Sequence, residues 1–230
     1  IYTASALSFM LEGLCKPVIL TGSQLPIGVP RTDGRENLLT AIEIAAATTP
    51  ERRPRVPEVA IYFSQQLFRG NRTTKENADQ FNAFGSYNYP PLATAGIDIH
   101  YNDHLIRKPE SQSLRLHSCL DNRVVVLTLF PGMRQELIEK ILNMNDIRGI
   151  VMRTYGSGNA PSNPQFIKAI QRATAKEGKI IVNITQCLSG SVAMQRYKTG
   201  LGLQQAGVVG GGDMTVESAV TKLMVLLGEG

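Results

Sequence analysis

The run Arg69-Gly70-Asn71-Arg72-Thr73-Thr74-Lys75 follows a predicted strand and gathers three cations, two hydroxyls and an amide. Such a run can bind an anion. It can also hold a lysine that sheds its charge when drawn out of water and then serves as base or proton relay for a hydroxyl nucleophile. On composition alone a solvated capping loop is the simpler reading. Thr21-Gly22-Ser23-Gln24, after another strand, offers backbone N–H groups and a hydroxyl at a tight turn, and reads equally as a plain strand-to-loop turn.

Met152-Arg153-Thr154-Tyr155-Gly156-Ser157-Gly158-Asn159-Ala160-Pro161 carries two glycines in the manner of a nucleotide loop. The dinucleotide fingerprint fails, because Pro161 stands where a third glycine or alanine is needed and no acidic ribose ligand is evident. A small polar ligand held by Arg153 and Asn159 fits better. In Asn183-Ile184-Thr185-Gln186-Cys187-Leu188-Ser189-Gly190 the cysteine reads as an inert buried thiol. Asp213, after Gly210-Gly211-Gly212, reads as a cap for the last helix. His100, His104 and His117 have no carboxylate or cysteine spaced for a metal, and no Ser-His-Asp set with a nucleophile elbow is present. No metal site is expected.

These loops need strands to position them, and ligands in open parallel sheets sit at the carboxyl ends of strands. Residues 16–21 and 58–63 read as parallel-type strands flanking a helix from Arg35 to Ala47, after an opening helix with Ala6, Leu7, Met10, Leu11 and Leu14 on one face. From Tyr87 to about Asn122 the pattern degrades into Pro, Asn and Ser with short strand-like pieces. The alternation then restarts with strands at 124–130, 149–153 and 179–184, and helices at 133–144, 164–176 and 215–227. The expected architecture is α/β: a parallel-sheet, Rossmann-like first domain in residues 1–96, a connection at 97–122, and a smaller α/β domain in 123–230. Helical spacing starts at Ile1 with no lead-in, so residues upstream are expected to be missing from this sequence.

Of the 230 residues 43% are hydrophobic and 19% charged, a balance that predicts folding and excludes intrinsic disorder. The longest aliphatic stretch, 123–130, is far below the roughly 18 residues that cross a bilayer, so no membrane partner is expected. The net charge of +5 is scattered; the densest group, Glu51-Arg52-Arg53-Pro54-Arg55, reads as solvated loop charge, and no nucleic-acid partner is expected. Cys15, Cys119 and Cys187 form no CxxC pair, which argues against a disulfide framework or zinc site and fits a reducing compartment.

Tyr2-Thr3-Ala4-Ser5-Ala6-Leu7-Ser8-Phe9, Thr21-Gly22-Ser23-Gln24, Arg69-Gly70-Asn71-Arg72-Thr73-Thr74-Lys75, Tyr155-Gly156-Ser157-Gly158-Asn159-Ala160-Pro161, Asn183-Ile184-Thr185-Gln186-Cys187 and Asp213-Met214-Thr215-Val216-Glu217, taken together and in this order, resemble the cytoplasmic, type I L-asparaginases. The resemblance implies hydrolysis of L-asparagine to L-aspartate and ammonia by a threonine nucleophile through an acyl-enzyme, without metal or organic cofactor. It also implies a cytoplasmic homotetramer built as a dimer of dimers. The family's two nucleophilic threonines belong to stretches with no match here, so these residues alone are expected to be inactive. The lysine of its Thr-Asp-Lys group matches Lys75, and the turn at Ser23 is implied to lie beside the substrate amide. Bacterial members are similar in having a second, activating asparagine site, whose matching positions are Thr74, Arg153, Asn159 and Cys187. The connection from Thr48 to Pro57, with Arg52, Arg53 and Arg55, is longer than in enterobacterial members. Competing expectations are a glutaminase-asparaginase, the asparaginase-like subunit of a tRNA-dependent amidotransferase, and a non-catalytic amino-acid-binding regulator.

Overall fold

The computed structural model describes residues 1–108, 113–195 and 198–230. Positions 109–112, inside the expected connection, lie outside the described residues. The chain divides into two units, Ile1–Ser118 and Cys119–Gly230.

In the first unit the opening run of small and apolar residues folds as α1 (Tyr2–Met10), followed by β1 (Leu11–Glu12), β2 (Val18–Leu20) and α2 (Gly34–Ala46). β3 (Val59–Phe63) pairs in parallel with β2, as the alternation predicts. Its side chains point alternately to two faces, the period-2 rule of a strand. Val59 and Ile61 join Ala4 and Leu14 in the core beneath α1, whereas Ala60 and Tyr62 join Ala41 and Ile44 of α2 on the other face. The sheet is thus sandwiched between two helices.

Beyond this parallel pair the sheet is mixed. β3 turns back through Ser64-Gln65 into β4 (Gln66–Arg69), an antiparallel hairpin. After a 3-10 turn at Gly70–Arg72 the chain makes the small hairpin β5 (Thr74–Lys75) and β6 (Phe84–Gly85). β7 (Ala93–Ala95) and β8 (Ile99–Tyr101) then complete a five-stranded mixed sheet in the order β2-β3-β4-β7-β8. β8, and β9 (Arg115–Leu116), which pairs with β1, fall within residues read from sequence as irregular connection. Their strand signal is short because β8 is an edge strand with a half-exposed pattern.

The second unit holds four parallel strands: β10 (Val124–Thr128), β11 (Gly149–Thr154), β12 (Ile180–Thr185) and β13 (Val209–Gly210), paired in that order. α3 (Gln135–Leu142), α4 (Pro164–Ala175) and α5 (Lys198–Gln205) cover one face, where Ile138, Leu142, Phe166, Ile170 and Leu203 pack on Ile150, Met152 and Ile181. α6 (Val216–Gly228) covers the other, with Ala219, Leu223 and Leu227 against Val151 and Ile184. α5 and β13 are absent from the sequence reading; Gly200 and Gly202 inside α5 lower its helical propensity. The cap expected from Asp213 is supplied instead by Thr215, whose hydroxyl accepts from the Ser218 N–H at 3.1 Å.

Candidate functional site

The loop after β2 begins with Thr21, whose hydroxyl donates to the Tyr62 carbonyl at 2.9 Å and ties the loop to β3. Its shape is set from a distance by Asp33. Both carboxylate oxygens accept from the Gln24 N–H at 3.0 Å, and one also accepts from the Leu25 N–H at 3.1 Å. Asp33 occupies the N-cap position of α2 without capping it, its carboxylate being spent on the loop. Fully buried Asn37 completes the clamp: its amide donates to the Gly22 carbonyl at 3.0 Å and to Asp33 at 3.1 Å, while its carbonyl accepts from the Ser64 N–H at 3.2 Å. Gly34 lets α2 approach, because a Cβ there would stand 3.1 Å from the Cβ of Ser23.

Lys75 reaches the same place from the other side. Thr74 and Lys75 pair with Gly85 and Phe84, and the Lys75 ammonium lies 5.6 Å from the centre of the Phe84 ring. That ring packs on Phe63, at the end of β3, with centroids 4.7 Å apart. Gln24 joins the two sides by donating from its side chain to the carbonyls of Ala78 and Gln80, at 3.0 and 2.8 Å. The result is a cavity of about 210 Å³ beyond the carboxyl ends of β2 and β3, lined by Ser23 and Lys75 together with Thr3, Thr21, Gly22 and Phe84 among others. Ser23 and Lys75, far apart in sequence, thus line one cavity with hydroxyls, turn backbone and a cation, beside the apolar rings of Phe63 and Phe84. Such a cavity suits a small polar molecule with an acceptor group for the ammonium.

Lys75 is exposed, so it is not drawn out of water by these residues. The rest of its run does not converge on an anion. Arg69 is half-buried and committed to buried Glu58, at 2.5 and 3.1 Å, while stacking 4.5 Å over Tyr89. Thr73 is fully buried and donates to the Arg69 carbonyl at 2.7 Å. Both the anion-binding and the solvated-loop readings of Arg69–Lys75 therefore give way to a braced turn that ends in Lys75. Below the cavity, burial and a 2.7 Å hydrogen bond to Glu36 push the Tyr62 phenol up to about 12, so it remains protonated at neutral pH.

Thr74, half-buried beside Lys75, belongs to the first unit; the other positions read as an effector site belong to the second. Arg153, one residue before the end of β11, donates weakly to the Gln186 carbonyl at 3.5 Å in the loop after β12, next to Cys187. Its buried Nε has no hydrogen-bond partner among the described residues. Asn159 closes a small bridge with Tyr155, and its side-chain carbonyl accepts from the Thr199 hydroxyl at 2.9 Å. Cys187 is exposed, against the expectation of a buried thiol; its N–H donates to Thr185 at 3.0 Å where the chain leaves the sheet. Beneath these loops Thr154 donates to Asn183 at 2.7 Å and Asn183 donates to the Gly158 carbonyl at 3.4 Å, a buried polar layer that shapes both turns. Among the described residues no group of three His, Cys, Asp or Glu is arranged for a metal ion, and no helix is long and apolar enough to cross a membrane.

The positioning residues Asp33 and Asn37 are missing from the sequence reading. The signal that could have found Asp33 is its place before Gly34 and an apolar helical run, an N-cap pattern. Nothing in the pattern marks Asn37, whose role rests on burial.

Residues 1–107 match the family profile "Asparaginase, N-terminal", and residues 123–230 match "Glutaminase/Asparaginase C-terminal domain". The chain is 45% identical to L-asparaginase 1 of Escherichia coli (strain K12) over 99% of its own length and 65% of that protein. It is 46% identical to a mouse protein named "60 kDa lysophospholipase", covering 39% of it. Among solved structures, L-asparaginase I from Vibrio cholerae superposes with a TM-score of 0.88 at 40% identity, covering 99% of this chain and 66% of that one. The chain thus spans about two-thirds or less of the relatives it matches.

Proposed function

The chain belongs to the glutaminase/asparaginase family, both of whose domains it matches, and on that premise we propose that it carries the proton-relay and substrate-positioning parts of an enzyme that hydrolyses L-asparagine to L-aspartate and ammonia. The observation that carries this reading is the meeting of Ser23 and Lys75 in one cavity at the carboxyl ends of β2 and β3.

A threonine hydroxyl is a weak nucleophile until a neighbour takes its proton. No residue here matches the family's nucleophilic threonines, so the chemistry assigned to this chain is that of Lys75. Its amine relays the threonine proton as the oxygen attacks the side-chain amide carbon. The tetrahedral intermediate then expels ammonia, leaving an aspartyl ester that water hydrolyses. Backbone donors aimed at the developing oxyanion typically contribute a factor of roughly 100 to 1,000 in such acyl transfers. The turn at Ser23, held rigid by Asp33 and Asn37, lies against the amide and fixes its approach.

Activation by a second asparagine is part of the same reading, with Thr74, Arg153, Asn159 and Cys187 as contacts. In its support, Arg153 and the loop that carries Cys187 lie on neighbouring strands of the second unit, with the Arg153 guanidinium 3.5 Å from the Gln186 carbonyl; Thr74, in the first unit, adjoins Lys75. Residues 1–96 and 123–230 are read as the catalytic domain's share and the smaller domain, the assembly as a homotetramer, and the compartment as the cytoplasm.

The test is ammonia release from L-asparagine by the whole protein carrying Lys75→Ala. A fall in kcat of about a hundredfold or more, with KM little changed, is expected for the loss of a general base. Near-normal kcat would sink the proposal. Equal turnover of glutamine would recast the enzyme as a glutaminase-asparaginase.

A further inference from the structure

A larger cavity, of about 470 Å³, opens elsewhere in the first unit between the connection that follows α2 and residues 103–108, and it shares no lining residue with the Ser23–Lys75 cavity. We propose that it is a binding site for a small polyanion, a phosphate- or carboxylate-bearing molecule no larger than a nucleotide.

Four cations line it, Arg53, Arg55, Arg107 and Lys108, against the carboxylates of Glu51 and Asp103. Asp103 is already spent, since one arm of Arg55 donates to both of its oxygens, at 3.0 and 2.8 Å. Arg55 also lies 4.4 Å over the Tyr101 ring, which fixes the plane of its guanidinium. Its Nε is buried and has no hydrogen-bond partner among the described residues. The other arm of the fork and the neighbouring Arg53, Arg107 and Lys108 bring more positive than negative charge to the cavity wall.

The loop that presents these groups is built rather than loose. The Thr49 N–H donates to the Arg53 carbonyl at 2.8 Å, Arg52 returns to Thr49 at 2.9 Å, and the Arg55 N–H donates to Ala47 at 2.9 Å. Pro50, Pro54 and Pro57 restrict the backbone further. On the opposite side the Arg107 N–H is anchored to Glu58 at 2.8 Å. A stiff backbone frame lowers the ordering cost of presenting these side chains to a ligand. The volume lies in the range of small-molecule sites, and buried Ile106 adds an apolar patch for the body of a ligand.

Calorimetric titration of the protein with pyrophosphate and, separately, with citrate tests this. Saturable binding at one site per chain is expected for at least one of them; pyrophosphate alone identifies a phosphate site, and citrate alone or both identify a general polyanion site. The exposed double variant Arg53→Ala/Lys108→Ala should weaken that binding roughly tenfold, and Arg55→Lys, which keeps the charge but removes the fork, should weaken it as well. Lys75→Ala should leave it unchanged. Absence of saturable binding to either anion, unaltered affinity in the double variant, or loss of binding in Lys75→Ala would overturn the proposal.

Discussion

Asn37 does not itself line the cavity, yet its two amide ends hold Gly22 in the cavity wall and Ser64 next to the lining residue Phe63. Replacing it by alanine leaves a carbonyl and an N–H without partners in a buried setting, which costs about 1–3 kcal/mol each before relaxation. Asn37→Ala is therefore expected to lower Tm and to raise KM for asparagine more than it lowers kcat, because the turn at Ser23 loses its fixed approach. Asn37→Asp, which retains the acceptor for Ser64 and loses the donor to Gly22, should show the KM effect in part. Steady-state kinetics beside a melting curve separate the two effects, and a pure fall in kcat would contradict a positioning role. Arg153→Ala makes a different residue-scale test. It removes the side chain proposed to take the effector, so sigmoidal dependence of rate on asparagine should become hyperbolic; unchanged cooperativity would count against it.

The hairpin of β3 and β4 turns on two residues, Ser64 and Gln65, with φ of 48° and 66°. Positive φ at both central positions is the geometry that matches the twist of paired strands, and it normally selects Asn-Gly. Here neither residue is glycine, and each is held in a sparsely populated region by its surroundings: Ser64 by the Asn37 carbonyl and Gln65 by its own carbonyl, which accepts from Ala95 at 2.8 Å. Gln65 is exposed, so its side chain contributes no burial. Gln65→Gly should then stabilise the protein by roughly 1 kcal/mol, read as a shift in denaturant midpoint at constant slope. An unchanged or lowered midpoint would show that the turn is not strained. The same turn explains what the sequence concealed. The helices and the parallel strands were legible because their apolar spacing survives burial on one face or two, as at α2, β3, β11 and α4. β4 was hidden because Ser-Gln carries no turn signal, and α5 because its glycines argue against a helix. Residue types alone left the run from Arg69 to Lys75 open between an anion site, an activated lysine and a solvated loop. That Arg69 would be consumed by Glu58 while Lys75 faces the cavity depends on pairing across the sheet, which no local pattern records.

Each unit has a core of its own, helices on both faces of a sheet, so acid acts on the two through different groups. In the second unit the sensitive group is Asp121. Its buried carboxylate accepts from the Arg123 side chain at 2.9 and 2.7 Å, from the Arg123 N–H at 3.0 Å and from Arg148 at 3.1 Å. Those donors, the Arg123 side chain foremost, hold it well below the usual carboxylate range. The cluster joins three elements at one end of the sheet. Arg123 precedes β10 and Arg148 precedes β11, while the Asp121 N–H donates to Met224 of α6 at 3.0 Å and Arg148 donates to Leu227 at 3.3 Å. A carboxyl whose folded pKa is depressed stabilises the fold at any pH above its unfolded value near 4, and the contribution drains away as pH falls from there through the lower folded value. Asp121→Asn should accordingly lower the stability of the second unit at neutral pH, and the gap from the unsubstituted protein should narrow once the pH drops below about 4. Peptide-resolved hydrogen exchange at several pH values reads this directly, with loss of protection concentrated in β10, β11 and α6 and little change in β2 or β3. A gap of constant size across that range would mean that Asp121 acts through packing or backbone geometry and that its charge contributes nothing.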